Sequence, residues 1–501
     1  MNKYFEELRP YLERNRAYQT ALALFSWDTE TLAPVEASEY TAKCVGILTE
    51  EAYHVLICDK VKSLIKKLST KKQQDTLNDA EKTTIRLIKK TFERLSCIPA
   101  NEYRDFSELC AISQTCYCRA KQNNKFEDFS PILEKLLDYT RRFASYRAKN
   151  GENPYDILLS DYEEGFTTEI LDDFFEKLKE AILPLVEKIK EKNDTIDNSF
   201  LFRNYPTDIQ GGFCRFLSGY LGFDFNRGVI AESEHPFTTS LHNHDVRLTN
   251  HFYDDNLESG IFSAIHETGH ALYEMGVDDS LTGTPAGIEI SMGMHESQSR
   301  FYENMIGRSR EFWEPLFPKL KETYPQELKD VTLDSFMAGI NKSEPGLIRT
   351  EADELTYSLH ILIRYELEKE LIAGACSVAE LPARWSQLYR DYLGIRPIQD
   401  SEGVLQDIHW ATANFGYFPS YAVGSAIAAQ LHHYIKTRLP LSDMLKEGNL
   451  HPIRAYLNDH IHKYGAVYTT NELLKKMTGE EFNPQYYIRY LTEKYTELYH
   501  L

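Results

Sequence analysis

Two histidines one helical turn apart, with a glutamate directly after the first, occur in Ser263-Ala-Ile-His266-Glu267-Thr-Gly-His270-Ala-Leu-Tyr273. The arrangement has chemical meaning only on a helix, where residues four apart lie about 40° apart around the axis and about 6 Å along it. His266 and His270 then share one face and can hold a single metal ion. Glu267 leaves the helix about 100° from His266, so it can reach a water on that ion without being a ligand itself. The spacing points to a hydrolytic zinc site. Two core histidines flanking a solvated glutamate are the competing reading.

The rest of the chain predicts a mainly α protein. Helical periodicity dominates its 501 residues, and 25 Gly and 19 Pro are too few to punctuate a large β protein. The clearest amphipathic helix spans Thr168 to Ile189, with Leu171, Phe174, Phe175, Leu178, Ile182, Leu185, Val186 and Ile189 on one face. Pro184 should kink or restart it. Ser130 and Pro131 mark another helix start, as N-cap and first helical residue. Character changes between Gly228 and Asn256, where alternation and turn residues suggest a small antiparallel sheet just ahead of the histidine helix. The histidines of this segment lack ligand spacing, and His235 and His244 are better placed for substrate contact. Ile288 to Met292 reads as a further strand. With no repeat or long linker, residues 1–501 are expected to form one domain.

A third ligand should come from the following helical stretch, Gly293-Met-His295-Glu296-Ser-Gln298-Ser-Arg300-Phe-Tyr-Glu303. Glu296 is the candidate, with Glu303 on the same face and His295 as competitors. Two His and one Glu form a set typical of catalytic zinc sites, with the fourth position left to water.

Charge and cysteines narrow the setting. Lys plus Arg total 56 against 76 Asp plus Glu, a net charge of −20, which disfavours nucleic acid and anionic lipid as partners. The N-terminus carries charges where a secretory signal needs an apolar core, and no segment approaches a membrane-spanning run. Eight scattered cysteines suit reduced thiols rather than a disulfide framework, and Cys110, Cys116 and Cys118 are expected to be buried thiols, not a metal cluster. A cytoplasmic protein follows.

Six short blocks occur in order: His235-Pro236-Phe237; Asp245-Val-Arg247-Leu-Thr249; His266-Glu-Thr-Gly-His270; His295-Glu-Ser-Gln298; Ile348-Arg349-Thr-Glu-Ala352-Asp353; and Gly403-Val-Leu-Gln406-Asp407-Ile-His409-Trp410. With Gly416-Tyr-Phe-Pro419-Ser-Tyr421 and the early Ser26-Trp27-Asp28, they make the chain resemble the carboxypeptidase Taq family of zinc metallocarboxypeptidases. The resemblance implies a large helical, saddle-like, two-lobed body of the zincin or neurolysin type, with a deep groove and a small sheet beside the zinc helix. It implies one Zn²⁺ or Co²⁺ per chain, a homodimer, and release of single residues from free peptide C-termini with broad preference. Motif by motif, it makes His266, His270 and Glu296 the ligands and Glu267 the general base or acid. Ala413 departs from the pattern, standing where glycine is expected.

Further roles follow from the chemistry. The tetrahedral oxyanion needs a donor on the wall opposite the metal, and the resemblance makes Tyr421 and His409 the candidates, since both fall in its blocks and carry neutral donors. A free α-carboxylate suits an arginine fork, for which Arg349 leads through the Ile348–Asp353 block of the resemblance and Arg247 follows. Either could instead be held in an ion pair, Arg349 with Asp353 or Arg247 with Asp245. Gln298 and Asp407 are expected to orient the ligands from behind. A helical zinc endopeptidase or dipeptide-releasing enzyme, and an inactive peptide-binding protein, are the alternative functions.

Overall fold

A computed structural model describes residues 2–149, 151–288 and 290–501. The chain begins with a long helix, Lys3–Thr31, whose N-cap Asn2 accepts hydrogen bonds from the amides of Tyr4 and Phe5. It stops ahead of Pro34, and a second helix, Ser38–Leu56, folds back against it. These helices and Asp59–Leu68 and Asp79–Ser96 enclose a small hydrophobic cluster of their own, including Leu8, Leu12, Val61, Leu64, Ile65 and Ile85. A separate, much larger core runs from Tyr117 to Tyr499 and holds the reaction centre.

The helix Thr168–Lys190 buries the eight apolar residues its periodicity predicts. Each such side chain contributes about 1.5–3 kcal/mol when fully buried. Pro184 does not restart it; the helix runs on to Lys190. The helix after Phe129 begins at Ser130 itself, so Ser130 is its first residue rather than its cap.

The sheet is mixed, not wholly antiparallel. β1 (Gly228–Glu232), β2 (Thr238–His242) and β3 (Asp245–Asn250) lie in the order β1-β3-β2. β2 and β3 form an antiparallel hairpin, but β3 inserts between the two earlier strands and so runs parallel to β1. The crossing loop is tied over the end of β3, with Ser233 N–H donating to Asn250 O and Thr249 N–H to Phe237 O. β2 is left as an edge facing the groove. The strand expected over Ile288–Met292 is not formed by its described residues: a 3₁₀ turn at Pro285–Gly287 leads to a helix starting at Met292, and Glu289 lies outside the described residues.

Candidate active site

The histidine helix spans Leu257–Gly276 and is buried on nearly every side, as expected for one in the middle of a large core. Asn256 caps it by accepting the Ser259 amide. Against it lies the glutamate helix, Met292–Arg300, capped by Ser291 and continued as a π-helical turn through Ile306. The tyrosine helix, Pro419–Lys436, packs on the other side of the glutamate helix. Two glycines permit these approaches. A Cβ on Gly269 would lie 2.7 Å from Ser299 Cα, and one on Gly424 would lie 2.7 Å from Glu296 Cβ and Cγ.

The packing brings together His266, His270 and Glu296, whose ligand atoms all lie within 4.8 Å of one another. Glu296 Oε2 is 3.7 Å from His266 Nε2 and 3.5 Å from His270 Nε2. A tetrahedral ion with bonds of about 2.0–2.1 Å sets its ligand atoms about 3.3 Å apart, so the donors fit one zinc-sized cation after a small contraction.

The surrounding charges prepare the donors for that task. His266 Nδ1 is 2.7 Å from Glu303 Oε2, which leaves Nε2 free to face the centre. Arg300 joins both acids, with Nε 2.7 Å from Glu296 Oε1 and Nη1 3.2 Å from Glu303 Oε2. Burial would raise the Glu296 carboxyl, but Arg300 and His266 outweigh it and hold the group well below the usual carboxylate range. Burial and the neighbouring His295 push His270 down to about 3, so it is a neutral imidazole. The two competitors for the third ligand thus have other partners: Glu303 supports His266, and His295 stacks on His270 at 4.1 Å with its Nε2 3.1 Å from Glu274.

Glu267 is buried, and burial raises its carboxyl above the ordinary value against the opposing pull of His266 and Thr238. Thr238 Oγ1 donates to Glu267 Oε2 at 2.6 Å, which ties the start of β2 to the acid. Glu267 and the three candidate ligand residues line a cavity of about 500 Å³. Thr238, Thr239 and Ser240 of β2 form one wall, Tyr417, Ser420 and Tyr421 another, and Arg16 reaches in from the first helix.

Behind Tyr421 lies an arginine cluster. Arg349 donates through Nε and Nη2 to Asp407 Oδ1 at 2.9 and 2.7 Å, and Arg364 Nε reaches Asp407 Oδ2 at 2.7 Å. The partner of Arg349 is therefore Asp407, while Asp353 instead caps the helix Glu354–Ala373. Asp407 holds two arginines and does not touch the ligands. The Arg349 guanidinium sits 4.9 Å from the Tyr421 ring centre, with Nη1 3.4 Å from the Tyr357 hydroxyl. His409 Nε2 lies 3.1 Å from the Tyr421 hydroxyl, and burial pushes its imidazole down to about 4. Glu368 fixes the intervening loop by accepting from Trp410 Nε1 and the Gly416 amide. Ala413 in that loop has φ 58°, a left-handed backbone that explains why glycine is expected there.

Other sequence candidates lie elsewhere. His235 is exposed and outside the cavity, although its neighbours Pro236 and Phe237 line it. His244 pairs with Asp279 at 3.2 Å. Arg247 is bound to Asp245 at 2.8 Å and covers Trp27. Gln298 bonds His462 and Ser297 rather than a ligand. Of the cysteines, Cys214 and Cys376 are buried, Cys118 is exposed and Cys110 and Cys116 are half-buried; among the described residues the one candidate metal group is His266, His270 and Glu296. Sequence reasoning missed Arg16, Thr238, Arg300 and Tyr417 as parts of the site. Arg300 alone carried a local signal, its position four residues after Glu296 on one helix.

A buried two-histidine, one-glutamate centre beside a carboxylate and an edge strand, carried on a helical body, defines a metal-dependent peptidase. The chain belongs to the carboxypeptidase Taq (M32) metallopeptidase family, whose model matches residues 7–495. It is 42% identical to carboxypeptidase 1 of Bacillus subtilis over 500 residues, covering 100% of this chain and 99% of that one. It is 35% identical to thermostable carboxypeptidase 1 of Thermus thermophilus, covering 97% of each. Among solved structures, the M32 carboxypeptidase from Deinococcus radiodurans superposes with a TM-score of 0.95 at 32% identity, covering 99% of this chain and 100% of that one. The Pyrococcus furiosus carboxypeptidase gives 0.94 at 34%, with 99% of each covered. The protein is accordingly a metallocarboxypeptidase, and the endopeptidase and inactive-binder alternatives are set aside.

Proposed function

We propose that this chain removes single residues from the free C-termini of peptides, with broad preference, using one zinc ion held by His266, His270 and Glu296. The convergence of His266 Nε2, His270 Nε2 and Glu296 Oε2 beside Glu267 carries the reading. Bound zinc supplies Lewis acidity, polarising the scissile carbonyl and making a water more acidic. Cobalt suits the same donors.

Glu267 takes the proton of the attacking water and returns it to the leaving amine, and its burial makes it a stronger base than an exposed carboxylate. Thr238 keeps one of its oxygens oriented. Tyr421 donates to the developing oxyanion; burial holds its phenol well above the usual value, so it stays protonated. His409, neutral at 3.1 Å, orients that hydroxyl. Tyr417, raised by burial to about 12 and lining the same wall, is a second donor. Arg349 receives the α-carboxylate: Asp407 occupies one flank of its fork and leaves Nη1 with a weak partner. Arg16 is the second reading for this role, because it lines the cavity and Arg349 does not. His235 and Arg247 contribute to substrate binding at most through the loop and strand they steady.

Mass spectrometry of a peptide ladder, with and without a chelator, tests the proposal. One-residue losses from the C-terminus that cease on chelation are expected; internal cuts or chelator-resistant turnover overturn it.

The setting we infer is cytoplasmic and dimeric. All eight cysteines are free thiols, and no helix among the described residues is long and apolar enough to cross a membrane. The connection between the first two helices exposes Leu32 and Val35, and the second helix exposes Tyr40 and Ile47, apolar side chains available to a second copy. Sedimentation of the wild type and Val35→Asp distinguishes a dimer built on those side chains from a monomer.

A further inference from the structure

The glutamate helix and the tyrosine helix each begin at the same buried side chain, Glu163. This residue sits in a short loop, is 0% exposed, and belongs to none of the motifs that describe the reaction centre. Its Oε1 accepts the amide of Gly293, and the carbonyl of the preceding Tyr162 accepts the amide of Met292 at 3.3 Å. The hydroxyls of Ser291, which caps the glutamate helix, and of Ser420, in the first turn of the tyrosine helix, lie near enough to favour its charge, although Ser420 completes no hydrogen bond. A Cβ on Gly293 would fall 2.9 Å from both carboxyl oxygens and 3.0 Å from Val423 Cγ1. Loop, glutamate helix and tyrosine helix therefore meet at one point with no room for a methyl group.

Two features separate Glu163 from an ordinary structural acid. Its Oε2 is buried without a hydrogen-bond partner, as is Ser420 Oγ. The groups that favour its charge are an amide and hydroxyls, with no cation among them, and burial raises the carboxyl to about 7. A carboxyl in such surroundings costs stability unless it is well supported. The partial positive charge at helix N-termini supplies support, and two helices direct their first turns here. One of them presents Glu296 and the other presents Tyr421.

We propose that Glu163 is a positioning residue that sets the distance between the metal ligand Glu296 and the oxyanion donor Tyr421 by joining the first turns of their helices. The inference rests on the roles given to those two residues above. Its contacts begin three residues before Glu296 and one before Tyr421, so a shift of either first turn moves a reacting group. Geometric errors of this kind act on bound metal and on the transition state more than on substrate affinity.

The test compares Glu163→Leu, which keeps bulk and removes both polar atoms, with Glu163→Gln, which still accepts from Gly293 and can donate to Ser420. Zinc loss to a chelator and steady-state kinetics per zinc-loaded site are measured alongside melting temperature. Glu163→Leu should lower kcat about tenfold, speed zinc release about tenfold and leave KM within about twofold, and Glu163→Gln should restore most of both. Ser420→Ala, which leaves the glutamate helix untouched, should lower kcat without changing zinc release, and keeps the test open if Glu163→Leu does not fold. Unchanged kcat and zinc release in a folded Glu163→Leu, or unchanged kcat in Ser420→Ala, overturn the proposal. Glu296→Ala is run in parallel. Zinc retention there overturns the ligand assignment and this inference together, whereas zinc loss there with a silent Glu163→Leu overturns this inference alone.

Discussion

Glu303 Oε2 lies 2.7 Å from Nδ1 of His266, seven residues beyond the glutamate that faces the same ring from its other nitrogen. One imidazole is thus held between two carboxylates, and Arg300 bridges the pair. The bond to Nδ1 selects the tautomer whose Nε2 lone pair points at the metal position. Glu303→Gln removes the charge and keeps an acceptor, so zinc affinity should fall about tenfold while the fold persists. Chelator competition checks this; unaltered affinity would assign Glu303 a purely structural part.

Glu267→Gln should retain zinc at one ion per chain and lose turnover on the order of a thousandfold, because the amide cannot accept the proton. Metal analysis and turnover on the same sample decide it. A variant that turns over normally would take the proton-transfer role away from Glu267.

The two arginines make opposite forecasts. If Arg349 binds the α-carboxylate, Arg349→Ala should cost free-acid peptides at least about a hundredfold in kcat/KM, while residual turnover of C-terminally amidated peptides is spared, and Arg16→Ala should leave the ratio unchanged. A collapse of that ratio in Arg16→Ala alone would move the clamp to the first helix.

Asp407 gives a pH prediction. Burial opposes its ionisation, but Arg349 and Arg364 outweigh burial and hold the carboxyl below its usual range. A depressed carboxyl stabilises the fold above the unfolded value, near 4, and that contribution is lost as pH falls through the lower folded value. Asp407→Asn, which leaves two buried guanidinium groups poorly paired, should lose about 3–5 kcal/mol at pH 7. Denaturant titrations should show the gap to wild type constant between about pH 5 and 8 and narrowing below about pH 4. A gap that widens in acid would contradict the sign.

The periodicity of Thr168–Ile189 and the spacing of His266, Glu267 and His270 were legible because each is a property of one helix. The third ligand was legible as a choice of three, since Glu296, Glu303 and His295 differ only in which way a neighbouring helix turns them. The parallel pairing of β1 with β3 was not, because alternation marks a strand without naming its neighbour. Glu163 is 130 residues from Gly293, and Asp407 is 58 from Arg349. Such pairings are made by packing and leave no trace in local spacing. Ile288–Met292 misled for a related reason: its described residues lead from the 3₁₀ turn at Pro285–Gly287 into the helix that starts at Met292, and form no strand.

Gly269 and Gly424 let a neighbouring helix close in on each side of the one that carries Glu296, against its main chain at Ser299 and against the stem of the Glu296 side chain itself. An added methyl group at either position would act as a wedge, prising that carboxylate away from His266 and His270.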